Sequence, residues 1–327
     1  MDGLRHAGLV LLGSLAAEVA FGGLAARSEE PAPADQATTQ AVAPSSTAAQ
    51  AAAPPATPDN CRRSAFRVVV DVGHTTGDPG ALSARGVTEY DFNLKLAGKV
   101  KQALVDAGFD KTVLMITTKP PYGGLFERAA RANALAADLF IAVHHDSVPD
   151  RLLQNWSFEG KPNRYNDNWP GYALFISNDN PQHAASLEFG QFLGKALQAH
   201  GLKFTSHYIL PIMGSRRRIL LDADAGVYRY DQLVVLRSTH MPALLIEAGS
   251  IVNRDEEIEL TTDERRAATS AAVAEAVGEF CTARAHPVAE RAEQHAAPAK
   301  PAAAKTKTAT YKATAQPAQG IKWPWSH

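Results

Sequence analysis

FRVVVDVG, residues 66–73, carries three successive valines with no polar residue between them. A strand with one face in water alternates apolar and polar residues, whereas a strand covered on both faces reads as an unbroken apolar run. The stretch is therefore expected to lie inside a parallel sheet. Downstream, Thr88 to Ala107 sets Leu96, Val100 and Leu104 on one helical face behind Thr88 as N-cap. TVLMIT (112–117), DLFIAVHH (138–145), YALFIS (172–177) and MPALLIE (241–247) read as further strands. A helix is expected around Glu127–Ala137, and another behind Asn180 as cap, with Pro181 in its first turn and Gly201 at its stop. Thr261 and Glu264 form a capping box for a final helix that buries Val273, Val277 and Phe280. This alternation predicts an α/β single domain, a mostly parallel twisted sheet flanked by helices on both faces. In such sheets the active site lies at the carboxyl ends of the strands.

Composition bounds the rest. Lys+Arg (33) nearly balances Asp+Glu (34) over 327 residues, so no basic field points to nucleic acid. Residues 7–26, AGLVLLGSLAAEVAFGGLAA, follow Arg5 and His6 and are similar to a secretory signal. Glu18 interrupts that run, which leaves an amphipathic N-terminal helix as the other reading. Residues 1–27 are thus expected to be a signal peptide or N-terminal anchor. Residues 28–60 hold one Val and no Leu, Ile, Met or aromatic residue, too little apolar surface to offset chain entropy, and are expected to be a disordered linker. Residues 285–327, rich in Ala, Pro and Lys and ending IKWPWSH, read as a disordered tail. The folded domain is expected over 61–284. Its ends carry the two cysteines, Cys61 and Cys281. Domain termini often lie close together and an exported chain meets an oxidising compartment. A disulfide is expected there, with two unpaired thiols as the alternative.

Three strands end in groups that bind metal or move protons: His74 after FRVVVDVG, His144 and His145 after DLFIAV, and Glu247 after MPALLI. Singly, each is as readily structural, a hydrogen-bonded histidine or a partner for an arginine. Together they could converge where strand ends meet. Alternation puts His144 and His145 on opposite sides of their strand, and periodicity does not choose between them.

DVGHTTGDPGA (71–81), TEYDFNL (88–94), FERAARANALAADLFIAVHHDS (126–147) and VLRSTHMPALLIEAGSIVN (235–253) resemble, in order, four motifs of the family 3 N-acetylmuramoyl-L-alanine amidases. The resemblance covers about 64–282. It implies one zinc ion per chain, held by His74, Glu89 and His144, with Glu247 as catalytic base, and selects His144 over His145. It further implies a peptidoglycan substrate, cut between N-acetylmuramic acid and L-alanine; with the signal-like leader, a periplasmic or secreted location is expected, and a monomer. A wall-binding regulator that has lost the chemistry and a zinc peptidase acting within the stem peptide are the competing readings. The first is disfavoured because ligands and base are all present. The second is disfavoured because no H-E-x-x-H pair occurs.

Departures from the family pattern bear on substrate fit. Thr75 and Thr76 stand where glycines are usual, Asp146 where Asn is usual, and Ser250 where Phe is usual. Val148 to Gly171, with Trp156, Phe158, Tyr165 and Trp169, is longer than the family's usual connection. Its aromatics either face the cleft, where they would stack on sugar, or anchor the segment to the domain; anchoring is expected. Arg216, Arg217 and Arg218 read either as contacts for stem-peptide carboxylates or as a solvated charge run, and the second is expected.

Overall fold

The computed structural model describes residues 61–119 and 121–284. The expected leader (1–27), linker (28–60) and tail (285–327) lie outside the described residues. In chain order the elements are β1 (Val68–Val72), α1 (Glu89–Asp106), β2 (Val113–Met115), α2 (Pro121–Ala134), β3 (Leu139–Asp146), β4 (Gln154–Phe158), β5 (Lys161–Tyr165), β6 (Ala173–Ile176), α3 (His183–Ala199), β7 (Ile219–Asp222), β8 (Val227–Arg229), α4 (Val234–Arg237), β9 (Ala243–Ser250), α5 (Arg254–Leu260) and α6 (Asp263–Ala283). Two short 3-10 turns, His207–Ile209 and Pro211–Arg216, precede β7.

The main sheet has the order β2-β1-β3-β9-β6-β8-β7. β2, β1, β3 and β9 run parallel, β6 runs against β9, and β8 follows β6. All residues of β1 and β9 are buried, as their unbroken apolar runs require. Val68, Val70 and Val72 face one way, into a core with Leu96, Val100 and Leu104 of α1, Phe189 and Leu193 of α3, and Val273, Val277 and Phe280 of α6. Val69 faces the other, into a core with Ala132 of α2, Leu236 of α4 and Met213 of the second 3-10 turn. Both faces are covered over the central strands β1, β3 and β9, so these contribute apolar side chains to both layers and their polar groups collect toward their carboxyl ends.

Cys61 and Cys281 form a disulfide, with Cα atoms 5.3 Å apart. It ties the segment entering β1 to the last turn of α6. Three local readings shift. The third helix begins at His183 rather than Pro181; Asn180 still accepts from the Gln182 amide, while its Nδ2 donates to the carbonyls of Leu236, Thr239 and Met241. The last helix is capped by Thr262, not Thr261; the Thr262 hydroxyl accepts from the Arg265 amide, while Thr261 donates to Ile258 O. The second helix spans Pro121–Ala134, ahead of the expected Glu127–Ala137. Among the described residues, no helix is long and apolar enough to cross a membrane.

Candidate metal centre

β1 delivers the first residue. Past its last hydrogen bond the chain turns sharply, and His74 takes a left-handed backbone, φ 65°. A non-glycine residue pays for that conformation only where its surroundings hold it. Arg128 of α2 does so from below, donating to His74 O at 2.6 Å and to Val72 O while pairing with Asp71 at 2.5 Å. Two glycines make room for the rings. A Cβ at Gly73 would fall 2.4 Å from His144 Nε2, and one at Gly80 would fall 2.6 Å from Glu89 Oε2 and 2.7 Å from the His74 ring.

Glu89 opens α1 behind the Thr88 cap, whose hydroxyl accepts from the Asp91 amide. Its carboxylate is buried and bridges the two histidines. Oε2 lies 3.0 Å from His74 Nε2, and Oε1 lies 2.9 Å from His144 Nδ1. One ligand atom from each of the three residues falls within 4.8 Å of the other two. Tetrahedral zinc with ligands at 2.0–2.2 Å places them about 3.3–3.6 Å apart, a spacing this cluster reaches with small side-chain adjustments. Burial alone would raise the Glu89 carboxyl, yet His74 and His144 hold it well below the usual carboxylate range. An ionised carboxylate between two imidazoles is the donor chemistry zinc takes. Burial depresses His144, with Glu89 opposing, which favours the neutral imidazole a metal needs. Burial also lowers His74, but the neighbouring Glu89 outweighs it and the ring ends raised.

Glu247 stands beside this cluster. In the sheet it pairs with His144 of β3 on one side and Ala173 of β6 on the other. It is 1% exposed, and its Oε2 has no hydrogen-bond partner among the described residues. Burial pushes its carboxyl well above the ordinary value, reinforced by Asp146 and Glu89 and opposed by Arg216. Just beyond, the β3–β9 register slips by one residue between His144 and Asp146. Such bulges re-aim side chains next to sites. Asp146 is buried here, accepting from the Tyr208 hydroxyl at 2.6 Å with His207 Nε2 at 3.3 Å and Arg216 Nη2 at 3.5 Å.

His74, Glu89 and His144 are thus brought together, and Glu247 lies next to them but outside the three-residue group. His145 points elsewhere. Its Nδ1 meets Asn93 Oδ1 at 2.8 Å, and burial takes its pKa down to about 3, a neutral structural ring. Trp156, Phe158 and Tyr165 cluster with one another on the β4–β5 hairpin, and Trp169 stacks on His207. Arg217 is exposed and donates to Ile209 O, while Arg218 is half-buried, stacks 3.6 Å over the Tyr230 ring and donates to Ser215 O and Arg217 O. Arg216 is not solvated: it is buried and donates to Ser147 O at 2.6 Å. Sequence reasoning gave no role to Arg128, His207 or Tyr208, took Asp146 only as a departure bearing on substrate fit, and read Arg216 as solvated. Arg128 stands inside a motif quoted above, which is a signal; His207 and Tyr208 lie in an irregular segment without periodicity, which offers none.

The N-acetylmuramoyl-L-alanine amidase family matches residues 68–279. An endolysin of Bacillus phage SPP1 is 31% identical over 196 residues, covering 60% of this chain and 59% of the endolysin. An N-acetylmuramoyl-L-alanine amidase of Escherichia coli is 25% identical over 64% of this chain and 74% of its own length. A probable amidase of Haemophilus influenzae is 28% identical, over 61% of this chain and 48% of its own. The chain therefore spans about half to three-quarters of these relatives. Among solved structures, an amidase from Mycobacterium abscessus aligns with TM-score 0.51 at 19% identity, over 66% of this chain and 98% of that one. An amidase from Clostridium difficile aligns with TM-score 0.50 at 20% identity, over 67% and 98%. At such identities the structural likeness speaks for the fold alone, and the family match over residues 68–279 decides membership: the chain belongs to the N-acetylmuramoyl-L-alanine amidase family.

Proposed function

We propose that the chain is a zinc-dependent peptidoglycan amidase that hydrolyses the amide between the lactyl group of N-acetylmuramic acid and L-alanine of the stem peptide. The observation that carries this is the convergence of His74, Glu89 and His144 on one point, with Glu247 paired to His144 on the next strand. Family membership supplies the substrate class. Since peptidoglycan lies outside the cytoplasmic membrane, the chain acts in the periplasm or beyond the cell.

A zinc ion held by His74, Glu89 and His144 would supply Lewis acidity, lowering the pKa of a water and polarising the amide carbonyl. Glu247 accepts the proton of the attacking water as the new C–O bond forms. It then gives that proton to the alanine nitrogen as the C–N bond breaks, leaving a lactyl carboxylic acid and a free amine. A carboxyl raised by burial suits both halves, because its affinity for the proton lies nearer the working pH. Arg216 and Asp146 fix the charge around it, and Arg128 holds the His74 turn.

The test is to incubate the purified chain with sacculi, with and without a chelator, and to identify the products by mass. Intact stem peptides with free N-terminal alanine, lost on chelation and restored by zinc, are expected. Cleavage within the stem peptide, or no release from zinc-loaded protein, would overturn the assignment.

A further inference from the structure

We propose that Trp156, on the β4–β5 hairpin, is a positioning residue for the metal site, holding the loop that carries the backbone contacts of Glu89. The inference rests on the zinc reading above and concerns what keeps its ligands in place.

The hairpin forms a two-stranded sheet of its own, Gln154–Phe158 against Lys161–Tyr165. Its aromatic faces are already occupied. Trp156 stacks on Phe158 at 5.7 Å and meets Tyr165 edge-on at 5.9 Å. Arg85 lies 5.6 Å from the Trp156 ring and 5.4 Å from Phe158; Arg254 lies 5.3 Å from Trp156 and 3.8 Å from Tyr165. Each guanidinium is fixed in turn by a carboxylate at 2.5 Å, Arg85 by Glu257 and Arg254 by Asp167. Rings held between arginines that are themselves paired are poorly placed to stack on sugar. They are well placed to act as a brace.

What they brace is the chain between His74 and Glu89. Trp156 Nε1 donates to Ala84 O at 2.9 Å. Ala84 N donates to Ile251 O at 2.8 Å, just past the base-bearing strand, and Arg85 N donates to Glu257 Oε1 at 3.1 Å. Three residues back, Ala81 N donates to the Glu89 carboxylate at 3.3 Å and Ala81 O accepts from Glu89 N at 2.9 Å. The hairpin also grips the far side of the site, with Asn166 N on Val252 O. It therefore spans from the loop that orients a metal ligand to the turn that follows the base strand. Groups that orient ligands without touching the metal commonly alter affinity or activity 10–100-fold when removed.

The test uses the full chain and two variants, Trp156→Phe and Trp156→Ala, with zinc affinity read by chelator competition alongside kcat, KM and thermal melting. Trp156→Phe keeps an aromatic ring in the stack and removes the donor to Ala84 O. Zinc affinity should fall by roughly 3–10-fold in Trp156→Phe and by about 10–100-fold in Trp156→Ala. At saturating zinc kcat should fall while KM stays within twofold. If Trp156→Ala does not fold, Trp156→Phe decides alone. Unchanged zinc affinity in the folded variants would overturn the proposal, and so would a rise confined to KM, which would put the ring on the substrate. A parent chain that binds no zinc sinks the functional reading together with this one, whereas normal zinc in the parent and in both variants sinks this one only.

Discussion

The two ends of the parallel strands are built in opposite ways. At the amino ends, the Cys61–Cys281 disulfide sits beside a cluster of edge-to-face rings, Phe66 on Phe109 and Phe280, and Phe280 on Phe189. At the carboxyl ends, His74 is held in a left-handed backbone, Glu247 Oε2 is buried without a hydrogen-bond partner among the described residues, and Asp146 and His207 are buried with each other, Tyr208 and Arg216 near their charge. An unsatisfied buried polar group costs about 1–3 kcal/mol, and a strained residue costs a similar amount. The carboxyl end is therefore locally unfavourable, and it persists because packing and cross-linking elsewhere offset it. Stability and chemistry are separated along one strand direction.

Removing ligands tests the functional end most severely. His74→Ala or His144→Ala should abolish bound zinc and turnover, since two protein ligands do not retain zinc at ordinary concentrations. His145→Ala, one residue along the same strand, should keep zinc and lose only stability, because that ring faces Asn93. Zinc counted by mass spectrometry of native protein separates the cases. Near-stoichiometric zinc in His144→Ala would break the assignment.

Glu247→Gln asks whether the unfavourable end is unfavourable for the sake of chemistry. The amide is nearly isosteric, so zinc should stay and kcat should fall by a factor on the order of 10²–10⁴. The same change should stabilise the metal-free protein at neutral pH. Glu247 has a folded-state pKa raised above its ordinary value of 4.5. Above that value the unfolded chain ionises first, so the parent loses stability as pH rises toward the folded pKa. The gain from Glu247→Gln should be present at pH 7 and vanish below about pH 4. A lower melting temperature for the variant at pH 7 would mean that the carboxylate is better solvated than its burial indicates.

The amino end is tested by Cys61→Ser with Cys281→Ser. The closed loop spans a sequence separation of 220 residues. In the chain-entropy model a loop of that length contributes about 5 kcal/mol, an upper figure. Melting should drop steeply, while zinc affinity and kcat measured well below the transition stay within twofold. A comparable loss of kcat would show that the two ends are mechanically coupled.

Much of this is legible in the sequence. β1, β3 and β9 announce themselves because strands buried on both faces must be apolar throughout, and the residues ending them are then conspicuous. β4 and β5 were not legible. QNWSF and KPNRY are exposed strands whose few apolar side chains serve one another, so no core imposes a period on them. β7 and β8, with four and three residues, are too short to carry one. Arg216 escaped for a different reason. A charge in a run of three arginines reads as solvated, and only the tertiary fold turns the first of them inward against Ser147 and Asp146.

Asp146→Asn is the mildest change and probes the finest part of the contrast. The side chain keeps its shape, and its oxygen can still accept from the Tyr208 hydroxyl, so zinc content and fold should be preserved. What changes is charge. Asp146 is the second cause, after burial, of the raised Glu247 carboxyl, and Arg216 acts in the opposite sense. Removing the negative charge and leaving the guanidinium both favour ionised Glu247. The base then becomes competent at lower pH, and the acid limb of the kcat/KM profile should move toward acid. At the alkaline side the variant carries a weaker base, so the rate there should fall slightly, by less than about tenfold, as Brønsted behaviour requires. Because Asp146 lies in the same strand as His144, zinc must be measured in each sample to separate a shifted base from a loosened metal. An acid limb that stays in place, with zinc intact, would mean that the aspartate is screened from Glu247 in the working enzyme. A limb that moves toward alkali would mean that Asp146 supports the ionised base through the buried network instead of opposing it.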